Sequence, residues 1–136
     1  MNYLGIDYGE RRVGLAVASS EFGIAFARKA IDQKAEDLME KLSALLKTER
    51  IDALVVGMPN RPDGRRDGKN VVVEKFVKEL SKAFPQVKIF TQDEAYSSAQ
   101  AQEKTAYLTK KRKMKEKGII DSEAAAIILQ RFLDGE

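Results

Sequence analysis

The sequence predicts an α/β fold built on one mixed five-stranded sheet, with an antiparallel three-strand meander followed by two parallel strands and helices flanking the sheet. Three short apolar runs near the N-terminus are separated only by turn-like segments, which suits antiparallel pairing. Two later apolar runs are separated by a helical pattern, as in a strand–helix–strand unit with parallel strands. The length of 136 residues predicts a single domain, residues 1–136, with its own core.

Hydrophobic periodicity predicts the individual elements. Short runs rich in Val, Ile, Phe and Ala indicate strands, and apolar residues at spacings of three and four indicate amphipathic helices. Asp32 is the predicted start signal of the first helix, and Pro85 ends the second. The predicted strands are residues 3–8, 12–19, 24–31, 51–57 and 87–91. The predicted helices are residues 35–48, residues 71–84, a segment from Ser97 or Ser98 toward Leu108, and residues 121–133.

The chain contains neither cysteine nor histidine. Disulfides, a cysteine nucleophile, the Ser-His-Asp arrangement and imidazole metal sites are therefore excluded. Any catalysis falls to carboxylates, lysine, tyrosine or hydroxyl groups. Because carboxylate oxygens without sulfur or nitrogen partners favour hard cations, we expect a bound metal to be Mg²⁺ or Mn²⁺.

The distribution of apolar and charged residues predicts no membrane segment. The chain has no apolar run of about 18 residues, and its first charged residues follow the N-terminal apolar stretch, unlike those of a signal peptide. We therefore expect a cytoplasmic protein. The formal net charge of +3 matters chiefly where the basic residues cluster.

Three carboxylates lie at predicted element boundaries beside apolar sequence: Asp7 after the first strand, Glu94 after the fifth, and Asp121 before the last helix. Each also has a purely structural interpretation. Asp7 can cap the turn at Gly9. Glu94 can be a surface-loop acid, and Asp93 can take its place in a site. Asp121 can be a helix N-cap.

The predicted topology gives these three acids a joint meaning. Because the first and fourth strands are parallel neighbours, acids that are distant in sequence can converge at one edge of the sheet. A cluster of carboxylates repels itself unless protons or cations intervene, so a divalent cation is its natural partner. Two such ions about 3.5–4 Å apart can clamp the attacking and leaving oxygens of a phosphodiester and generate hydroxide without histidine.

Basic residues cluster after the first strand and in two predicted loops. A phosphate backbone is the expected partner, and a solvated lysine-rich loop is the structural alternative. Arg11 and Arg12 are placed to meet phosphate near Asp7 or to pair with Glu10, and Tyr8 can stack on a base or pack within the fold. The candidate nucleic-acid-binding residues are Arg11, Arg12, Arg61, Arg65, Arg66, Lys110, Lys111, Arg112 and Lys113.

The sequence resembles the YqgF/RuvX family in four blocks that occur in the family's order: LGIDYGERRVGLAVAS, VVGMPNRPDG, the DE of TQDEAYSS, and IIDSEAAAIILQRFL. The resemblance covers nearly the whole chain, and the first block is its most specific part. It implies an RNase H-like fold and a nuclease whose catalytic, metal-binding acids are Asp7, Glu94 and Asp121. It also implies a substrate, because the family is similar to Holliday junction resolvases and is implicated in processing pre-16S ribosomal RNA.

From this resemblance we expect a two-metal-ion nuclease acting on structured nucleic acid, with the ribosomal RNA precursor favoured and branched DNA as the alternative, working as a monomer or a homodimer. One departure concerns Ala95 and Tyr96, which stand where the family usually has Arg and Leu. A missing arginine there favours an alternative, a non-catalytic nucleic-acid-binding factor in ribosome biogenesis or transcription.

The segment GIDYG also resembles the phosphate loop of ATPases of the actin and sugar-kinase type, but the chain is too short for the two-lobed architecture of those proteins. Glu123 is a further candidate ligand, or simply an acid favoured in the first helical turn.

Overall fold

A five-stranded sheet forms the centre of the fold. The protein is described from a computed structural model that covers residues 1–59, 68–93 and 117–135, and of residues 117–121 the backbone alone. Within these segments the strands are β1 (Asn2–Asp7), β2 (Arg12–Ser19), β3 (Ala25–Asp32), β4 (Ala53–Met58) and β5 (Lys88–Asp93). Their order across the sheet is β3-β2-β1-β4-β5.

The pairing of these strands confirms the predicted topology. β1, β2 and β3 form an antiparallel meander, while β4 pairs parallel to both β1 and β5. The carboxyl ends of β1, β4 and β5 therefore lie at the same edge of the sheet, where ligands of such sheets usually bind. The observed bounds of β2 equal the predicted ones, and those of the other strands differ by one or two residues, as expected for element ends.

Three helices lie in the described segments: α1 (Leu38–Thr48), α2 (Gly68–Ala83) and α3 (Lys117–Leu133). None of them combines the length and the hydropathy that crossing a membrane requires. The helix predicted from Ser97 or Ser98 toward Leu108 lies outside the described residues.

The predicted start of α1 at Ala35 is wrong, because a different aspartate caps the helix. Asp37 is the N-cap, and its side chain accepts a hydrogen bond of 3.2 Å from the Glu40 N–H. Asp32 ends β3 instead, and its carboxylate accepts a hydrogen bond of 3.0 Å from the Lys34 N–H in the following turn. Both aspartates carry the same local signal, so the sequence does not distinguish between them.

The sheet is covered on both faces, and its residues alternate between two buried clusters. Leu4 and Ile6 of β1 pack with Leu54 and Val56 of β4 beneath α1 and α2. The residues between them face the other way, so that Val55 packs with Ala16, Ala18 and the apolar stripe of α3. Strands buried on both faces explain why IDALVVG is almost continuously apolar.

Helix α3 lies very close to β1 because small residues form the contact. A Cβ atom added to Gly5 would lie 2.8 Å from the Leu129 Cβ and 3.1 Å from the Ala125 carbonyl oxygen. Two residues earlier in β1, the Tyr3 ring meets Phe132 edge-on at 5.6 Å. Residues later in α3 thus contact residues earlier in β1, so the helix runs antiparallel to the strand.

Candidate active site

Asp7 is the last residue of β1, at the carboxyl edge of the sheet. Tyr3 and Gly5 face α3, so the two-residue alternation of the strand directs Asp7 to the same face. The next residue, Tyr8, turns to the opposite face and stacks on Phe76 with ring centroids 4.2 Å apart. Asp7 is half-buried at the point where the sheet surface beneath α3 opens.

Glycines flank Asp7 on both sides in the sheet. Asp7 pairs with Gly14 of β2. On the other side Ile6 pairs with Val56 of β4, so the next residue of β4, Gly57, lies level with Asp7. Gly5 precedes Asp7 on the same face. These glycine neighbours add no side chains beside the carboxylate.

Position 121 of α3 lies at the level of Asp7. Ala125 and Leu129 lie over Gly5, and one helical turn before Ala125 corresponds to about 6 Å along the helix axis. Gly5 and Asp7 are separated by about 6.6 Å along the strand. Because α3 runs antiparallel to β1, a step back along α3 from Ala125 and a step forward along β1 from Gly5 lead in the same direction. The backbone thus places Asp121 next to Asp7 in level, although the Asp121 side chain is outside the described part.

The structural interpretation of Asp121 as an N-cap is wrong. Helix α3 begins at Lys117, so Asp121 lies inside the helix rather than at its start. An aspartate inside a helix has a lower helix propensity than most residues and no capping role to explain it. This placement removes the main structural alternative for the residue.

Glu94 follows the last residue of β5 and lies outside the described residues. Its proposed substitute, Asp93, is described and lies on the wrong face. Phe90 of β5 contacts Phe132 of α3, so Phe90 and Gln92 face α3 while Asp93 faces the other side of the sheet. Gln92 pairs with Gly57 and so lies level with Asp7.

Glu123 lies on α3 two positions after Asp121, and its Oε2 atom is buried. Two positions along an α-helix amount to a rotation of about 200°. Asp121 and Glu123 therefore lie on nearly opposite sides of the helix, and the backbone does not bring Glu123 to the side on which Asp121 lies.

The turn after Asp7 is fixed by two interactions. A Cβ atom at Gly9 would overlap the Arg12 carbonyl oxygen, so the tight turn requires glycine. Gln33, at the end of β3, donates from Nε2 to the Gly9 carbonyl at 2.7 Å, and its backbone N–H donates to the Arg11 carbonyl at 2.8 Å. Gln33 thus anchors the segment that leads away from Asp7.

Arg11 pairs with Asp32 and not with Glu10. Its Nε atom lies 3.6 Å from the Asp32 Oδ1, and 56% of its side chain is exposed. The hydrogen bond from the Lys34 N–H is the main cause that lowers the pKa of the Asp32 carboxyl, and the Arg11 guanidinium lowers it further. An exposed pair of this kind contributes little stability and leaves Arg11 available to a phosphate.

A cavity of about 420 Å³ lies beside the residues that follow Asp7 in the chain, between the turn after β1 and the first turn of α2. Its lining is largely apolar and includes Lys69. The lining residues are Tyr8, Gly9, Glu10, Gly68, Lys69, Val72 and Val73.

Most of the predicted nucleic-acid-binding residues lie outside the described residues: Arg61, Arg65, Arg66, Lys110, Lys111, Arg112 and Lys113.

The donors at this edge suit a hard divalent cation. Asp7 offers carboxylate oxygens beside two glycines, and the chain has no imidazole or thiolate to compete. Within the described segments no three acids come together as a metal-binding group; of Asp7, Glu94 and Asp121, only Asp7 has a described side chain. The fit therefore rests on the Asp7 carboxylate, its glycine neighbours in the sheet and the level of position 121.

Two polar residues near the site were not predicted from the sequence. Gln33 has no local signal beyond its place after a strand. Ser122 does have one, because it lies on the apolar stripe of α3, three positions before Ala125 and seven before Leu129. A hydroxyl on the buried face of a helix indicates a specific partner.

Comparisons with known sequences point to one family. The family model RuvX, described as Holliday junction resolvase, matches residues 1–135. A relative from Chlorobium luteolum is 37% identical over 132 residues, covering 96% of this chain and 92% of its own. One from Anaplasma marginale is 39% identical over 133 residues, covering 96% and 83%. Each relative bears the name "Putative pre-16S rRNA nuclease".

Solved structures of resolvases share the fold. Thermus thermophilus RuvC, in complex with a Holliday junction substrate, aligns with a TM-score of 0.56 at 14% identity, covering 99% of this chain and 94% of its own. The fowlpox virus Holliday junction resolvase aligns with a TM-score of 0.57 at 12% identity, covering 99% of both. These likenesses support the RNase H-like fold, and the full-length family match shows that this chain belongs to the RuvX family.

Proposed function

We propose that this protein is a metal-dependent nuclease that hydrolyses phosphodiester bonds in structured nucleic acid, with precursor 16S ribosomal RNA as the favoured substrate. The observation that carries the proposal is the common level of Asp7 and position 121 at the carboxyl edge of the sheet. The names of the relatives support the choice of RNA, and the Holliday junction bound to T. thermophilus RuvC supports branched DNA as the alternative.

In this proposal Asp7, Glu94 and Asp121 hold Mg²⁺ or Mn²⁺ and are the catalytic carboxylates. The bound ions would supply a hydroxide nucleophile and Lewis-acid stabilisation of the phosphodiester oxygens. The chain itself contributes the geometry. Gly14 and Gly57, which flank Asp7 in the sheet, add no side chains of their own beside the carboxylate.

The protein's basic residues bind the substrate backbone in this proposal. Arg11 and Arg12 follow Asp7 closely in the chain, and Arg61, Arg65 and Arg66 follow β4, whose carboxyl end lies at the same edge as that of β1. Lys110, Lys111, Arg112 and Lys113 precede α3 in the chain. Neutralising phosphates releases counterions, so binding should weaken linearly with the logarithm of the salt concentration.

The first experiment removes one carboxylate charge at constant size. The Asp7→Asn variant should cleave a structured RNA substrate in Mn²⁺ roughly 100-fold or more slowly than the parent, the scale on which one transition-state group acts. Its affinity for Mn²⁺ alone, measured by titration calorimetry, should fall as well.

Asp52→Asn is the matched control for this experiment. Asp52 precedes β4 at the opposite edge of the sheet, where its Oδ2 accepts a hydrogen bond of 2.8 Å from the Asn2 N–H. The same chemical change there should leave cleavage and Mn²⁺ affinity intact. An Asp7→Asn protein that cuts as well as the parent would refute the assignment of Asp7.

A non-catalytic nucleic-acid-binding factor is the second candidate, and the replacement of the family arginine by Ala95 favours it. Under this alternative the purified parent cleaves neither RNA nor branched DNA with Mg²⁺ or Mn²⁺, yet binds them without metal. Changing Lys110, Lys111, Arg112 and Lys113 to glutamine tests binding separately. The slope of log affinity against log salt should fall by about 0.7–0.9 for each lost phosphate contact.

A further inference from the structure

Ser122 forms a buried hydrogen bond between α3 and the sheet beside the proposed acids. Its hydroxyl oxygen accepts from the Leu15 N–H at 2.9 Å, and the Ser122 side chain has no solvent-exposed surface. Among the described residues, Ser122 and Asn70 are the polar residues that are buried in this way. A buried N–H without an acceptor is costly, so this hydrogen bond is a specific contact.

The Leu15 N–H is available because the sheet is irregular at that point. Val13 pairs with Ile31 and Leu15 pairs with Arg28, so two residues of β3 oppose the single Gly14 of β2. This bulge interrupts the ladder between β2 and β3. The Ser122 hydroxyl supplies a hydrogen-bond acceptor at the interruption.

The bond joins the neighbours of two proposed catalytic acids. Ser122 follows Asp121 directly in α3. Leu15 of β2 pairs with Ile6 of β1, and Ile6 directly precedes Asp7. The short path from Asp121 through Ser122, Leu15 and Ile6 to Asp7 therefore includes a single non-covalent link between α3 and the sheet.

The packing around this link sets how closely α3 approaches the sheet, and the hydrogen bond of Ser122 adds a fixed point along the helix. The fully buried part of this contact surface consists of alanine, valine, isoleucine and leucine side chains, which tolerate small sliding movements of a helix, and the aromatic contacts of Phe132 lie near the other end of α3. A hydrogen bond confines its donor and acceptor to about 2.7–3.2 Å. We infer that Ser122 is a positioning residue that sets the distance between Asp121 and Asp7, and this inference rests on the proposed nuclease function.

Gln130 provides a matched control at the other end of α3. Its Oε1 atom accepts from the Ala25 N–H at 2.9 Å, and its Nε2 atom donates to the Gly23 carbonyl at 2.9 Å. Gln130 thus also ties α3 to the β2–β3 hairpin. It lies eight residues after Ser122, about 12 Å along the helix and away from the acids.

The test compares Ser122→Ala, Ser122→Thr and Gln130→Ala in the full-length chain. Amide hydrogen exchange without metal should show that Ser122→Ala, but not Gln130→Ala, accelerates exchange at Leu15. Titration with Mn²⁺ alone should show a 10–100-fold weaker affinity for Ser122→Ala, the usual effect of losing a group that orients metal ligands. Cleavage should show a similar loss in kcat with little change in KM.

The remaining variants separate positioning from stability. Both alanine variants should unfold at lower temperatures than the parent, but Gln130→Ala should keep its Mn²⁺ affinity and kcat within about twofold. Ser122→Thr retains the hydroxyl and should recover most of the affinity. The inference is overturned if Ser122→Ala binds Mn²⁺ as the parent does, or if Gln130→Ala loses as much affinity.

Failure of the proposed function gives a different result. A parent protein that neither binds Mn²⁺ nor cleaves nucleic acid refutes the nuclease proposal, and with it the role of Ser122 in orienting Asp121. A parent that does both, beside an unchanged Ser122→Ala protein, refutes only the role of Ser122.

Discussion

Replacing Gly5 by alanine should move α3 away from Asp7. The added Cβ would lie 2.8 Å from the Leu129 Cβ, whereas carbon atoms in contact prefer about 3.5–4.0 Å. It would also lie 3.1 Å from the Ala125 carbonyl oxygen, which belongs to the helix backbone and cannot rotate away. Relief therefore requires the helix to move away from β1 by about 0.7–1.2 Å.

The expected cost of this overpacking is about 2 kcal/mol in the free energy of unfolding. For a domain of this size that corresponds to a fall in Tm of roughly 6–10 °C. A displacement of about 1 Å between catalytic groups can reduce the rate about 100-fold. The prediction is therefore a coupled loss of stability and of cleavage, measured by calorimetric unfolding and by cleavage of a structured RNA in Mn²⁺.

Gly68→Ala is the control, because a Cβ atom at Gly68 would meet no atom of the described residues within 4 Å. The same added methyl group in the first turn of α2 should leave stability unchanged or raise it by up to about 1 kcal/mol. A Gly5→Ala protein that unfolds at the parent's temperature and cleaves at the parent's rate would refute the close contact between β1 and α3 as the source of the site's geometry.

Three further predictions concern the turns around the site. Gln33→Ala should speed amide exchange in residues 8–12, since the Gly9 and Arg11 carbonyls lose their anchor. The proportional loss in cleavage rate should exceed the proportional loss in Tm. Unchanged exchange in this segment would contradict the anchoring role of Gln33. Asp37→Ala should lower stability by about 1 kcal/mol, seen in denaturant unfolding, because α1 loses its N-cap. Asp32→Asn should be less stable than the parent at neutral pH and equal to it in acid. The folded pKa of Asp32 lies below its ordinary value of 3.8, so its contribution is present above that value and is lost as the pH falls through the folded pKa. A constant difference across the acid range would refute this linkage.

Much of the fold could be predicted because its signals are local. Short apolar runs identified the strands, apolar residues at spacings of three and four identified the helices, and the lengths of the connections separated antiparallel from parallel pairing. The ends of α1 and α3 could not be predicted as well, since Asp32, Asp37 and Asp121 all resemble N-caps in sequence. Which aspartate caps a helix depends on where the preceding strand ends, and β3 continues as far as Asp32.

The candidate site divides in the same way. The absence of histidine and cysteine limited its chemistry to oxygen ligands, and element boundaries singled out Asp7. The choice between Asp93 and Glu94 needed the alternation of β5 relative to α3, and the rejection of the N-cap role of Asp121 needed the true start of the helix. Glu94 and most of the predicted basic residues lie outside the described residues, so their roles stay predictions.

The order of residues alone specifies which segments form the sheet, how they pair and the hard, carboxylate character of any metal site, because these follow from neighbours in the chain. The way α3 lies on the sheet is instead a property of the folded chain. That position depends on the contact of Gly5 with Leu129 and on the bond between Ser122 and Leu15, residues 107 positions apart. Contacts over such separations are set by close packing of complementary surfaces, and no local pattern encodes the level at which two acids meet.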